Sequence, residues 1–172
     1  MCGIIGICNE ENPSSKVNLA LDLLQNRGKD GSKVVELPSC VLGHTLHSVV
    51  GHVQQPITKE GTLVANCEIY NWQELNEKYT LNASNDAELL LFFLDKFGFA
   101  KLHELDGVYA FAYVKNNFVY LTRDILGVKP LWYAYTTDNF AFASEKKVLE
   151  KLDYVDIQEL NPRHSFIYNI EN

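Results

Sequence analysis

Seven consecutive residues, Val108-Tyr109-Ala110-Phe111-Ala112-Tyr113-Val114, put apolar side chains on both faces of an extended chain. Large groups (Tyr109, Phe111, Tyr113) alternate with small ones (Val108, Ala110, Ala112). Such a strand has no face to give to water, so it requires a sheet covered on both sides. Phe111 and Tyr109 are therefore expected in the core.

The rest of the pattern supplies the cover. Gly3–Cys8 reads as a buried strand, and Asn9–Ser15 as a loop around Pro13. A helix is expected over Lys16–Gln25, capped by Ser14 or Ser15, with Val17, Ala20, Leu21 and Leu24 on one face. Strands are expected over Ser32–Leu37, Cys40–Ser48 and Gly61–Ala65. Helices follow over Trp72–Tyr79 and Asn85–Phe97, the latter with a capping box at Asn85 and Glu88 and a terminating Gly98. Lys115-Asn116-Asn117 turns the buried strand into Phe118–Arg123, and Leu131–Tyr135 and Phe140–Ala143 form a second hairpin. A helix over Glu145–Leu152 and strands over Asp156–Leu160 and Ser165–Ile170 close the chain. Packed sheets with helices outside, an α+β fold, is the expected architecture.

At 172 residues the length predicts one domain spanning 1–172. A net charge of −7 leaves no phosphate-neutralising excess, which argues against a nucleic-acid binder working through a basic surface. The longest apolar run, Ala87 to Leu94, falls far short of the ~20 residues that cross a bilayer. No basic, apolar leader opens the chain, so a soluble cytoplasmic protein is expected, with Cys2, Cys8, Cys40 and Cys67 as reduced thiols. None of the four forms a Cys-x-x-Cys pair. His44 and His47 point to opposite faces of a strand, which argues against a shared metal.

Cys2 has two readings from position alone: an ordinary buried thiol, or a nucleophile. Removal of Met1 would leave an α-amine, pKa ~8, beside a thiol, pKa ~8.5, so the residue could carry its own base. The remaining motifs bear on the choice. Met1-Cys2-Gly3-Ile4, Arg27-Gly28-Lys29-Asp30-Gly31, Gly43-His44-Thr45-Leu46-His47-Ser48 and Asn66-Cys67-Glu68-Ile69-Tyr70-Asn71 occur in that order. Asn85-Asp86-Ala87-Glu88, Leu105-Asp106-Gly107-Val108-Tyr109-Ala110-Phe111-Ala112, Arg123 through Tyr133 and Phe142-Ala143-Ser144-Glu145 follow. Together they resemble the class II glutamine amidotransferases over residues 2 to about 166, and the last three resemble the asparagine-synthetase branch in particular.

The resemblance implies a four-layer αββα sandwich of the N-terminal-nucleophile hydrolase type. It implies Cys2 as nucleophile with its amine as base, and an oxyanion hole made by the Asn66 side chain and the Cys67 N–H. Asp86 would hold the substrate's α-ammonium, a role compatible with its other reading as a helix-start acid. Leu46, Val49 and Glu68 would complete the substrate site. Arg27, Asp30, Arg123, Asp124 and Lys129 are expected to hold loops together, with Arg123-Asp124 as an ion pair or turn lock. No cofactor is implied.

Two positions depart from the family. Leu46 stands where the family has the arginine that clamps the substrate α-carboxylate, and leucine cannot make that bidentate pair. His47, on the other strand face, is no simple replacement. Cys67 stands where the family has glycine in the oxyanion turn, and a Cβ there is expected to restrict φ and narrow the site.

The expectation is a glutaminase that releases ammonia from glutamine through a Cys2 thioester. The sequence holds neither a Ser-Gly-Gly-x-Asp-Ser loop nor a Walker motif, so an ATP-dependent synthetase partner is expected to use the ammonia. The alternatives are a non-catalytic homologue that regulates or assembles with a synthetase, and an amidase for a substrate lacking an α-carboxylate.

Overall fold

In the computed structural model, which describes residues 1–48 and 52–171, the doubly apolar segment is the central strand of one of two stacked sheets. In chain order the elements are β1 (Gly3–Cys8), α1 (Pro13–Leu23), β2 (Gly31–Leu37), β3 (Cys40–Leu46), β4 (Ile57–Thr58), β5 (Thr62–Ile69), α2 (Trp72–Tyr79) and α3 (Asp86–Phe97). A 3-10 turn (Leu102–Glu104) leads into β6 (Gly107–Lys115), β7 (Phe118–Arg123), β8 (Trp132–Tyr135), β9 (Phe140–Ala143), α4 (Lys146–Lys151), β10 (Gln158–Glu159) and β11 (Phe166–Asn169). One sheet runs β10-β8-β9-β1-β3-β2 and the other β11-β7-β6-β5-β4, and the pairings are antiparallel.

Strand alternation assigns the layers. On β1, Ile4 and Cys8 face the second sheet, where they meet Val64, Ala110, Ala112 and Leu121. Ile5 and Ile7 face outward onto Val17, Ala20 and Leu24 of the α1 segment and onto Val148 and Leu149 of α4. On β6 the small residues face the other sheet, while Phe111 and Tyr113 pack against Leu90, Leu91 and Leu94 of α3. The order is helix, sheet, sheet, helix, the αββα sandwich.

Several expectations are corrected. Helix α1 begins at Pro13, with Asn12 in the left-handed region (φ 53) as its cap and no side-chain cap bond. Proline at the first helical position has the right φ and needs no N–H partner, so the helix starts before either serine. Strand β3 stops at Leu46, and β5 runs on through Ile69, which puts Asn66 and Cys67 inside a strand rather than in a turn. Strand β4 and the 3-10 turn were not expected; both are too short to carry a period. Phe111 is fully buried, but Tyr109 is only partly so. Cys8 and Cys40 are disulfide-bonded, not reduced: the β1–β3 register sets them directly opposite each other. At α3 the Asn85 Oδ1 accepts from the Glu88 N–H at 2.8 Å, as the capping box predicts, and the Glu88 carboxylate reaches Ser84.

Among the described residues, no helix is long and apolar enough to cross a membrane.

Candidate active site

Cys2 sits immediately before β1, and its surroundings are built from four parts of the sequence. The His47 N–H donates to Cys2 Sγ at 3.4 Å, and Sγ in turn lies 3.7 Å from the His47 carbonyl oxygen. Arg27, after α1, donates from Nε to the Cys2 carbonyl oxygen at 2.9 Å and from Nη1 to the Glu145 carboxylate at 3.1 Å. The Gly3 N–H donates to Thr45 Oγ1 (3.1 Å) and the Ile4 N–H to Ser144 Oγ (2.9 Å). Glycine is required at position 3, because a Cβ there would lie 2.6 Å from Thr45 Oγ1. Burial pushes the Cys2 thiol up, while the His47 N–H and the nearby terminal ammonium pull it down.

In front of the thiol lies a cleft of about 170 Å³, lined by Leu46, Gln55, Asn66, Cys67, Glu68 and Asp86 among others. Its back wall is the open edge of β5, where pairing with β4 reaches only Thr62 and Leu63. Beyond that point side chains replace the missing strand. Gln55 accepts the Ala65 N–H at 2.6 Å and donates back to the Ala65 carbonyl at 3.1 Å. His44 Nε2 lies 3.2 Å from the same carbonyl, which can only accept, so the ring carries its proton on Nε2. Burial lowers the His44 pKa to about 4 and keeps the ring neutral. Further along, the Ile69 N–H donates to Asp86 Oδ2 at 3.2 Å. Backbone alternation turns the Cys67 N–H, between residues 65 and 69, to this same edge.

Asn66, on the neighbouring register position, is buried, and its Nδ2 has no hydrogen-bond partner among the described residues. Cys67 is not among the residues with positive φ, so its Cβ causes no backbone strain, contrary to expectation. Its side chain packs against the cluster that Leu63, Ala65 and Phe111 form with Leu90, Leu91 and Leu94, on the α3 side of the sheet. Burial, then the Asp86 carboxylate, raises its pKa well above the usual thiol value.

Asp86 is the first residue of α3, with its carboxylate aimed at the cleft and accepting the Ile69 and Ala87 N–H groups. Burial raises its pKa and those two N–H groups oppose the rise. It makes no salt bridge among the described residues. Glu68 is paired with the buried Lys129 at 2.8 Å. Val49 lies outside the described residues.

The expected framework residues act as locks. Arg123 does not pair with Asp124; it reaches the Lys129, Gly127 and Leu160 carbonyls and Glu159. Asp124 receives the Val128 and Lys129 N–H groups, so the pair is a turn lock. Asp30 accepts the Ser48 N–H at 2.8 Å. Gln55, Thr45, Ser144 and the main chain of His47 were not anticipated as parts of the site. His47 acts through its backbone, for which the sequence carries no signal.

A family model described as a glutamine amidotransferase domain matches residues 1–168. The chain belongs to the glutamine amidotransferase domain family, class II. Its sequence is 34% identical over 217 residues to a putative glutamine-hydrolysing asparagine synthetase of Methanocaldococcus jannaschii, covering 100% of this chain and 40% of that protein. It is 33% identical over 184 residues to a probable glutamine-hydrolysing asparagine synthetase of Dictyostelium discoideum, covering 96% of this chain and 33% of that one. The chain thus spans well under half the length of these relatives. Glutamine phosphoribosylpyrophosphate amidotransferase of Bacillus subtilis shares the fold, with a TM-score of 0.86 at 20% identity over 99% of this chain and 48% of that one.

Proposed function

We propose that this chain hydrolyses glutamine to glutamate and ammonia. With Met1 removed, the Cys2 α-amine takes the thiol proton and the thiolate attacks the carboxamide carbon of the glutamine side chain. The resulting oxyanion is received by Asn66 Nδ2 and the Cys67 N–H. Collapse expels ammonia, protonated by the same amine, and leaves a γ-glutamyl thioester on Cys2. Water, deprotonated by that amine, then releases glutamate and restores the thiol. Asp86 anchors the substrate ammonium, with Leu46, Val49 and Glu68 around it. An ATP-dependent synthetase unit, in the same polypeptide or in a separate partner protein, consumes the ammonia.

The observation that supports this reading most is Asn66 Nδ2, a buried donor without an acceptor among the described residues, on the same cleft as the Cys2 thiol. A lone buried donor is costly in a resting protein and useful where negative charge develops during reaction.

The test is thiol labelling with a glutamine-mimicking electrophile. While Met1 is attached, burial holds the Cys2 thiol up, so labelling should climb about tenfold per pH unit from pH 7 to ~9. After Met1 removal it should already be fast at pH 7 to 8, with Cys67 untouched. Labelling of Cys67 at a similar rate, or labelling of Cys2 that is indifferent to Met1, would overturn the assignment.

A further inference from the structure

We propose that the cleft selects a glutamine whose α-carboxyl is already in amide linkage, that is, a glutamine at the amino end of a peptide. This rests on the glutaminase reading and adds the substrate class.

The charges of the cleft carry the inference. Asp86 brings one carboxylate with no cationic partner among the described residues, and Glu68 is already neutralised by Lys129. No lysine or arginine is among the described lining residues, and positions 49–51, Val-Val-Gly, add no cationic side chain. Where β3 ends at the cleft stands Leu46, 5% exposed and apolar. Among the described residues, the main-chain donors that follow it are in use: the His47 N–H serves Cys2 Sγ, and the Ser48 N–H serves the Asp30 carboxylate at 2.8 Å. The His47 ring stands half-exposed with Nδ1 3.9 Å from Asp30 Oδ2.

Free glutamine carries an ammonium and a carboxylate on one carbon. The ammonium matches Asp86. The carboxylate beside it finds no lysine or arginine among the described lining residues, and an anion desolvated without a partner pays the full penalty. An amide in its place is neutral and escapes that penalty, while the ammonium and the reacting carboxamide are unchanged. The chemistry is the same: the carbon–nitrogen bond of the γ-carboxamide breaks, ammonia leaves with a proton, and water completes the carboxylate.

The experiment compares ammonia release by the Met1-processed protein from Gln-Gly, free glutamine and N-acetylglutamine. The peptide product is identified by mass as Glu-Gly, against pyroglutamyl-glycine from spontaneous cyclisation. The expected kcat/KM for Gln-Gly exceeds that for glutamine by roughly tenfold, and N-acetylglutamine, lacking the ammonium, falls below both. A Gln-Gly to glutamine ratio of one or less overturns the substrate class and leaves the glutaminase intact. N-acetylglutamine matching Gln-Gly removes the anchoring by Asp86 on which the inference depends. No Cys2-dependent ammonia from any of the three removes the glutaminase reading as well. Leu46→Arg, where it folds and releases ammonia, should shift the ratio toward free glutamine by roughly 10-fold or more. An unchanged ratio would show that residue 46 does not set the preference.

Discussion

The Arg27 guanidinium holds the carbonyl oxygen of Cys2 at 2.9 Å from Nε while Nη1 is tethered to Glu145, so the position of the nucleophile depends on a side chain 25 residues away. The planar fork is what makes both contacts at once.

Arg27→Lys keeps the charge and loses the fork. Ammonia release should fall ~10–100-fold in kcat, the scale of a misplaced reacting group, with KM little changed. Steady-state kinetics alongside a thermal melt separate this from unfolding. A kcat equal to that of the parent protein would show that the carbonyl contact does not place the thiol.

Asn66→Ala should separate activity from stability. Its Nδ2 makes no hydrogen bond among the described residues, so deletion should change stability by less than ~1 kcal/mol. If that amide meets the oxyanion, kcat should fall ~10²–10³-fold. Loss of stability with activity retained would make Asn66 a structural residue.

His44 links folding to pH. Its folded pKa, about 4, lies below the unfolded ~6.5, so the folded state binds fewer protons between these values. The contribution is fully present above pH 6.5 and is lost as pH falls toward 4, roughly 3 kcal/mol across the window. His44→Gln can still donate to the Ala65 carbonyl, and its denaturation midpoint should fall less steeply over this range. An equal slope in both proteins would contradict the buried neutral ring.

Phe111→Ala tests the layer between β6 and α3. Phe111 is fully buried, with Tyr109 and Phe99 ring centroids at 5.8 and 6.4 Å. The cavity should cost ~3–5 kcal/mol in urea unfolding. A change below ~1 kcal/mol would contradict the packing.

What could be read ahead of the structure follows from what side chains encode. The doubly apolar β6 announced covered sheets, and α3 announced both its ends through Asn85, Glu88 and Gly98. Cys2, Asn66 and Asp86 came together through a resemblance spread along the sequence, since their own types would also suit a buried thiol, a turn and a helix start. The disulfide is not legible in the sequence because it depends on Cys8 facing Cys40, a register that periodicity does not specify. The His47 contacts were invisible because every residue but proline has the same N–H. The backbone strain expected at Cys67 does not arise because its strand conformation, set by pairing with β6, needs no glycine.

The most direct test of Cys2 as nucleophile is ammonia release by Cys2→Ala, compared with the parent protein whose Met1 removal has been verified by intact mass. Release from glutamine, and from Gln-Gly, should fall to the uncatalysed background in the variant, with the fold unchanged by circular dichroism. Ammonia release by folded Cys2→Ala at the parent rate would contradict the nucleophile assignment outright.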